Sequence, residues 1–135
     1  MQSPFLLTSW VSSCLNGLRL RGWCPEQLFR IASVDPALLQ QPTFPAHSFN
    51  VLLETARTLH DAPDVGIEAR RGITPGSLLS VGLAVMSCRN LREGLDLMVK
   101  FNAGLTSCFE LSLAEHGERT SFGLHQGLDV TEPYP

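Results

Sequence analysis

Up to Gly104 the apolar residues recur every three or four positions, and after it they alternate. This change of period constrains the fold more than any other feature: helices first, then strands. Pro4 to Arg21 carries Trp10, Val11, Cys14, Leu15 and Leu18 on one stripe, and Gly22 stands where a helix-terminating glycine belongs. Pro25 opens a second helix with Glu26 in its first turn, burying Leu28, Ile31 and Ala32. Asp35-Pro36 caps a short helix through Leu38 and Leu39. Pro45 begins the best amphipathic segment, with Phe49, Leu52, Leu53, Ala56 and Leu59 on one face.

A further helix is expected from Pro63 to Arg71, stopping at Gly72. Thr74-Pro75-Gly76-Ser77 is a turn in which Gly76 can take a positive φ. It launches a segment apolar nearly all round, Leu78, Leu79, Val81, Leu83, Val85 and Met86, which predicts a helix in the middle of the domain. Asn90 and Glu93 form a capping box for a helix whose inner stripe is Leu91, Leu95, Met98 and Val99. Beyond Gly104, Phe109, Leu111 and Leu113 alternate with Cys108, Glu110 and Ser112. His116-Gly117-Glu118-Arg119 breaks the run before Phe122 and Leu124, a hairpin pattern. The expected fold is mainly α: six or seven short-to-medium helices followed by an antiparallel β-hairpin, in one domain over residues 1–135. Glu132-Pro133-Tyr134-Pro135 reads as turn.

Composition narrows the function classes. Nine arginines and one lysine face 13 acids, for a net charge of −3, so the excess that phosphate neutralisation calls for is missing. The chain alone is expected not to bind duplex DNA. No apolar run approaches the ~20 residues of a bilayer span, and the N-terminus lacks the basic region of a signal peptide. Cys14, Cys24, Cys88 and Cys108 are too widely spaced for a C-x-x-C motif and are expected as free, mostly buried thiols of a cytoplasmic protein. His47, His60, His116 and His125 show no ligand spacing, and no nucleophile or nucleotide-binding motif is present. No metal, cofactor or enzymatic activity is expected.

Two polar stretches beside apolar helices remain as candidates. Ser77 lies at a helix start, where free N–H groups face outward, though every helix start shares that property. Arg70 and the Lys100-Phe101-Asn102 run can meet a carboxylate, or simply lie on a solvated face. Met86 closes the apolar segment, which as core needs no ligand. The candidate contacts for a small molecule are therefore Arg70, Ser77, Met86, Lys100 and Asn102.

In order, these stretches resemble a known family. Leu15 to Leu39 with Arg21-Gly22 and Val34-Asp35-Pro36-Ala37-Leu38-Leu39, then Phe44-Pro45 leading into Phe49-Asn50-Val51-Leu52-Leu53-Glu54-Thr55-Ala56, open the match. Ala62-Pro63-Asp64-Val65-Gly66-Ile67, Gly72-Ile73-Thr74-Pro75-Gly76-Ser77-Leu78, Val81 to Ser87, and Asn90-Leu91-Arg92-Glu93-Gly94-Leu95 complete it. The chain resembles the N-terminal sensing domain of AraC-type bacterial transcription regulators, in its helical arabinose-binding-type subgroup, from Leu15 to Leu124. Lys100-Phe101 departs from the family's Arg-Tyr pair, so the tyrosine hydroxyl is missing. The resemblance implies an effector-sensing and dimerisation domain, without the family's C-terminal helix-turn-helix domain and cut inside its sheet. Its partners would be a second copy, a small effector for which a carboxylate is one option, and promoter DNA only through the missing domain. The competing expectation is a dimerisation or protein-interaction module that takes no small molecule.

Overall fold

The computed structural model describes residues 3–126; the turn expected over 132–135 lies outside them. Phe5–Leu7 forms a strand (β1) that pairs antiparallel with Thr43–Pro45 (β2), Leu6 facing Phe44. Neither strand is foreshadowed by the sequence, because three residues are too few to display a period of two. The pairing is locked at both ends by Thr8 N–H donating to the Pro42 carbonyl at 3.1 Å and Ala46 N–H to the Pro4 carbonyl at 3.0 Å.

From β1 the chain turns directly into Thr8–Leu20 (α1), whose Val11, Cys14, Leu15 and Leu18 are buried as the stripe predicts. Gly22 takes φ 92° and donates to the Arg19 carbonyl, ending the helix as expected. Pro25–Ala32 (α2) buries Leu28 and Phe29, whereas Ile31 is 52% exposed. The buried face is thus turned toward Phe29, which forms an edge-to-face pair with Phe44 at 6.5 Å. Pro36–Gln40 is a 3-10 turn, capped by the Asp35 carboxylate accepting from Ala37 N–H at 2.9 Å. Ala46–Leu59 (α3) sets Leu52 and Ala56 into the core and leaves Leu59 at its rim. Val65–Arg70 (α4) ends at Gly72 and crosses α1 with backbone against backbone: a Cβ on Gly17 would overlap the Ala69 carbonyl, and one on Gly72 the Ser13 carbonyl.

The main apolar core is drawn entirely from Val11 to Ala69. The later elements are laid against it. Pro75–Leu78 is a 3-10 turn with reciprocal Thr74 and Ser77 capping bonds. Gly76 has no positive φ; Leu79 takes it instead, at 57°, where the chain enters Leu79–Met86 (α5). The expected central helix is a surface helix: in α5 only Gly82 is buried, against Pro75, while Leu83 is 60% and Met86 71% exposed. Uniform apolarity marks a helix that something covers, and among the described residues its outer face has no cover.

Asn90 caps Leu91–Leu105 (α6) by accepting from Glu93 N–H at 2.9 Å. Glu93 reaches the Arg89 N–H and guanidinium and not the Asn90 N–H, so the expected box is half formed. Leu91, expected on the inner stripe, is 77% exposed. Phe109–His116 (β3) and Arg119–Gln126 (β4) form the expected hairpin, Leu111 facing Leu124 and Leu113 facing Phe122. Its two-residue loop begins with Gly117 at φ 66°, as tight hairpin turns require. β3 runs back along α6, tied by the Arg92–Glu115 ion pair at one end and by Asn102 at the other. Among the described residues the architecture is six helices, two 3-10 turns and the short β1–β2 pair, with a hairpin at the end, the mainly α fold expected.

Candidate functional site

Besides the turn before α5, which is held on α1, the second half docks on the first through a short stretch, Thr106-Ser107-Cys108, which lies along β1. Phe5 N–H donates to Ser107 Oγ at 2.8 Å, and Ser107 N–H returns to the Phe5 carbonyl at 3.2 Å. The same carbonyl accepts from Thr106 Oγ1 at 2.9 Å. The junction between α6 and β3 is therefore held as an extra rung on the edge of the β1–β2 pair, with Leu6 opposite Thr106.

Beside this junction the halves form a partly open cavity of about 150 Å³. Leu6 of β1 and Trp10 of α1 form one wall, Leu78 closes it from the 3-10 turn, and Met98, Asn102 and Leu105 of α6 form the opposite wall. Thr106 and Phe109 complete it at the start of the hairpin. The helical spacing of Met98, Asn102 and Leu105 puts all three on one face of α6. Asn102, 5% exposed, is oriented by its Nδ2 donating to the Phe109 carbonyl at 2.8 Å, which also stitches α6 to β3. Among the described residues, no charged side chain lines the wall.

A second hollow, about 480 Å³, runs along α3 between Ile31, His47, Glu54 and Leu59. It is larger but open to solvent, a surface groove between α2 and α3. Ligand sites are concave and bury most of the ligand's surface. We take the seam pocket, whose walls come from both halves of the fold, as the candidate site.

Of the five residues singled out from the sequence, Asn102 lines this cavity. Ser77, 2% exposed, sits behind its wall next to Leu78. Its hydroxyl accepts from Thr74 N–H at 2.9 Å and donates to Ser13 Oγ at 2.6 Å, while Ser9 Oγ donates to its carbonyl at 2.8 Å. Ser77 thus staples the turn to α1. Arg70 is exposed on α4, Met86 is exposed at the end of α5, and Lys100 is exposed on α6 with its ammonium 5.4 Å from the Phe101 ring centroid. The structure brings none of these three to the cavity. The wall residues that sequence reasoning missed come from separate elements. One signal was available: an asparagine within the apolar stripe of α6.

The thiols divide: Cys14 and Cys108 are buried, Cys88 is intermediate and Cys24 is exposed, so the expectation of mostly buried thiols holds for two of the four. Burial pushes the Cys14 thiol up to about 11, which keeps it protonated and unreactive. The hydrogen bonds from Arg19 hold Glu26 down at about 2, an exposed pair that ties α1 to α2 and does not line the cavity. Among the described residues no group of three or more His, Cys, Asp or Glu is arranged to hold a metal ion, and no helix is long and apolar enough to cross a membrane.

A small apolar pocket thus lies at a seam of a helical domain with a C-terminal hairpin. Comparison with known families gives the class of protein. The model for the arabinose-binding domain of AraC transcription regulators, N-terminal, matches residues 22–134. The chain belongs to this family of effector-binding domains of transcription regulators. No curated protein matches it closely enough to stand as a relative.

Proposed function

We propose that this chain is the effector-sensing and dimerisation domain of a cytoplasmic AraC-type regulator, that its effector occupies the seam cavity, and that it carries out no reaction. The observation that carries this is the position of the cavity: its walls come from both halves, beside the Phe5–Ser107 rung that holds them together. A ligand that fits the docked arrangement better than an opened one shifts the population toward docking, by no more than its difference in affinity for the two. The hairpin moves with α6, because Asn102 and the Arg92–Glu115 pair join them. The change is then passed to DNA-binding domains outside these residues, altering how a dimer addresses its two half-sites.

The test is a thermal-shift screen of small metabolites followed by affinity measurements on variants. For a hit, filling the cavity with Leu78→Trp is expected to weaken binding at least tenfold. Lys100→Ala, which changes an exposed residue away from the cavity, is expected to leave affinity unchanged. The opposite pattern removes the effector from the seam.

The outer face of α5 supports the dimerisation part and also the alternative, a protein-interaction module without a ligand. Leu79, Leu83 and Met86 are exposed, and no residue of Leu79–Met86 is charged. Such a face can meet its own copy about a two-fold axis without like-charge repulsion. Phe122 and Leu124 on the outer strand of the hairpin add to the exposed apolar surface. Light scattering at tens of micromolar is expected to give the mass of two chains, and Leu83→Glu that of one. A monomeric wild type contradicts self-association.

A further inference from the structure

We infer that the seam cavity takes a compact apolar ligand, a single aromatic ring or a branched hydrocarbon group of roughly six or seven heavy atoms, and neither a sugar nor a carboxylate. The inference rests on the sensing role proposed above and adds the ligand class. Size comes first. At about 150 Å³ the cavity is smaller than ordinary small-molecule sites. An apolar space of this volume accommodates a molecule the size of benzene.

The chemistry of the wall points the same way. Among the described residues only Asn102 and Thr106 bring polar side chains to it, and hydrogen bonds within the protein already use the Thr106 hydroxyl and one N–H of Asn102. The Asn102 amide donates to the Phe109 carbonyl, and the Thr106 hydroxyl donates to the Phe5 carbonyl while accepting from Cys108 N–H at 3.0 Å. A pentose has a hydroxyl on nearly every carbon and would give up water at each one without an equivalent set of partners. A carboxylate would meet no counter-charge among the described residues of the wall. Trp10 and Phe109 instead present aromatic surface, and the thioether of Met98 adapts to irregular apolar shapes. The family's name points to a sugar; the wall of this cavity does not.

The experiment is a titration of the isotope-labelled full chain with toluene, L-arabinose and benzoate, followed by NMR. Toluene is expected to shift the Trp10 indole and Asn102 side-chain signals saturably. Trp23, stacked on His60 away from the cavity, serves as the control and should not move. L-arabinose and benzoate at the same concentrations are expected to leave all of these signals in place. Shifts of Trp10 and Asn102 with arabinose or benzoate, and none with toluene, overturn the ligand class while leaving a sensing cavity. Toluene shifts at Trp10 and Asn102 that leave the Phe5 and Ser107 amides unmoved support the class but contradict sensing through the seam. No response to any of the three, or equal shifts at Trp10 and Trp23, overturns the assignment.

Discussion

Phe44→Ala is expected to lower the unfolding free energy by about 3–5 kcal/mol, as measured by urea denaturation. Phe44 is 0% exposed, at the centre of β2, between the helices that supply the core. Truncation removes the transfer energy of the ring and leaves a cavity that the surroundings cannot fill, because the backbone of β2 is pinned by its pairing with β1. It also removes the edge-to-face partner of Phe29. Native domains have only about 5–15 kcal/mol in total, so the variant should approach instability at 37 °C. A loss below about 1 kcal/mol would mean that Phe44 is not at the centre of the core.

Gly17→Ala should be nearly as damaging, although alanine is the better helix former. The helix gains roughly 1 kcal/mol in propensity from this change. That gain is outweighed, because the new methyl overlaps the Ala69 carbonyl carbon and oxygen, which are backbone atoms and cannot rotate aside. Separating α1 from α4 would also disturb Gly72, which lies against Ser13 and Gly17 in the same crossing. A net loss of about 2–3 kcal/mol is expected, at the upper end for overpacking. Gly66→Ala is the internal control. It lies within α4 with nothing near its missing Cβ, and it should stabilise by about 0.5–1 kcal/mol. Equal effects of the two changes would show that α1 and α4 do not cross at Gly17.

Local signals in the chain proved legible where their structural answer is also local. Gly22 ends α1, Asp35 and Asn90 cap the turns that come after them, and the alternation after Gly104 gives a hairpin with Leu111 opposite Leu124. Long-range features were not legible. β1 and β2 are three residues each and join Leu6 to Phe44, a pairing that no pattern within either segment encodes. The apolarity of α5 foretold that it needs cover, but not that the main core would be complete by Ala69 and leave α5 outside. Ile31 and Leu91 likewise sit on the outer side of their stripes, because hydrophobic period gives a helix a face without saying which neighbour arrives.

The candidate site shows the same division. Asn102 was legible as a polar residue in the apolar stripe of a helix. Trp10, Leu78 and Phe109 reach the cavity from three other segments and share no spacing with it. Arg70 and Lys100 can meet a carboxylate or lie on a solvated face, and sequence alone does not separate the two. The structure leaves both on solvated faces, and among the described residues the seam cavity is lined without any charge. For the family, the match over residues 22–134 and the order of motifs agree, since both depend on many weak local features occurring in sequence.

The central claim, that an effector in the cavity tightens the docking of α6 and the hairpin on β1, is tested most directly by amide hydrogen exchange. The Phe5 and Ser107 N–H groups donate across the seam to Ser107 Oγ and the Phe5 carbonyl, so their exchange reports whether the rung is closed. With a saturating hit from the thermal-shift screen, exchange is expected to slow at Phe5 and Ser107 well beyond any change at Leu52 and Ala56 in α3. Equal slowing throughout the chain, or protection confined to the α3 groove, would contradict an effector acting at the seam.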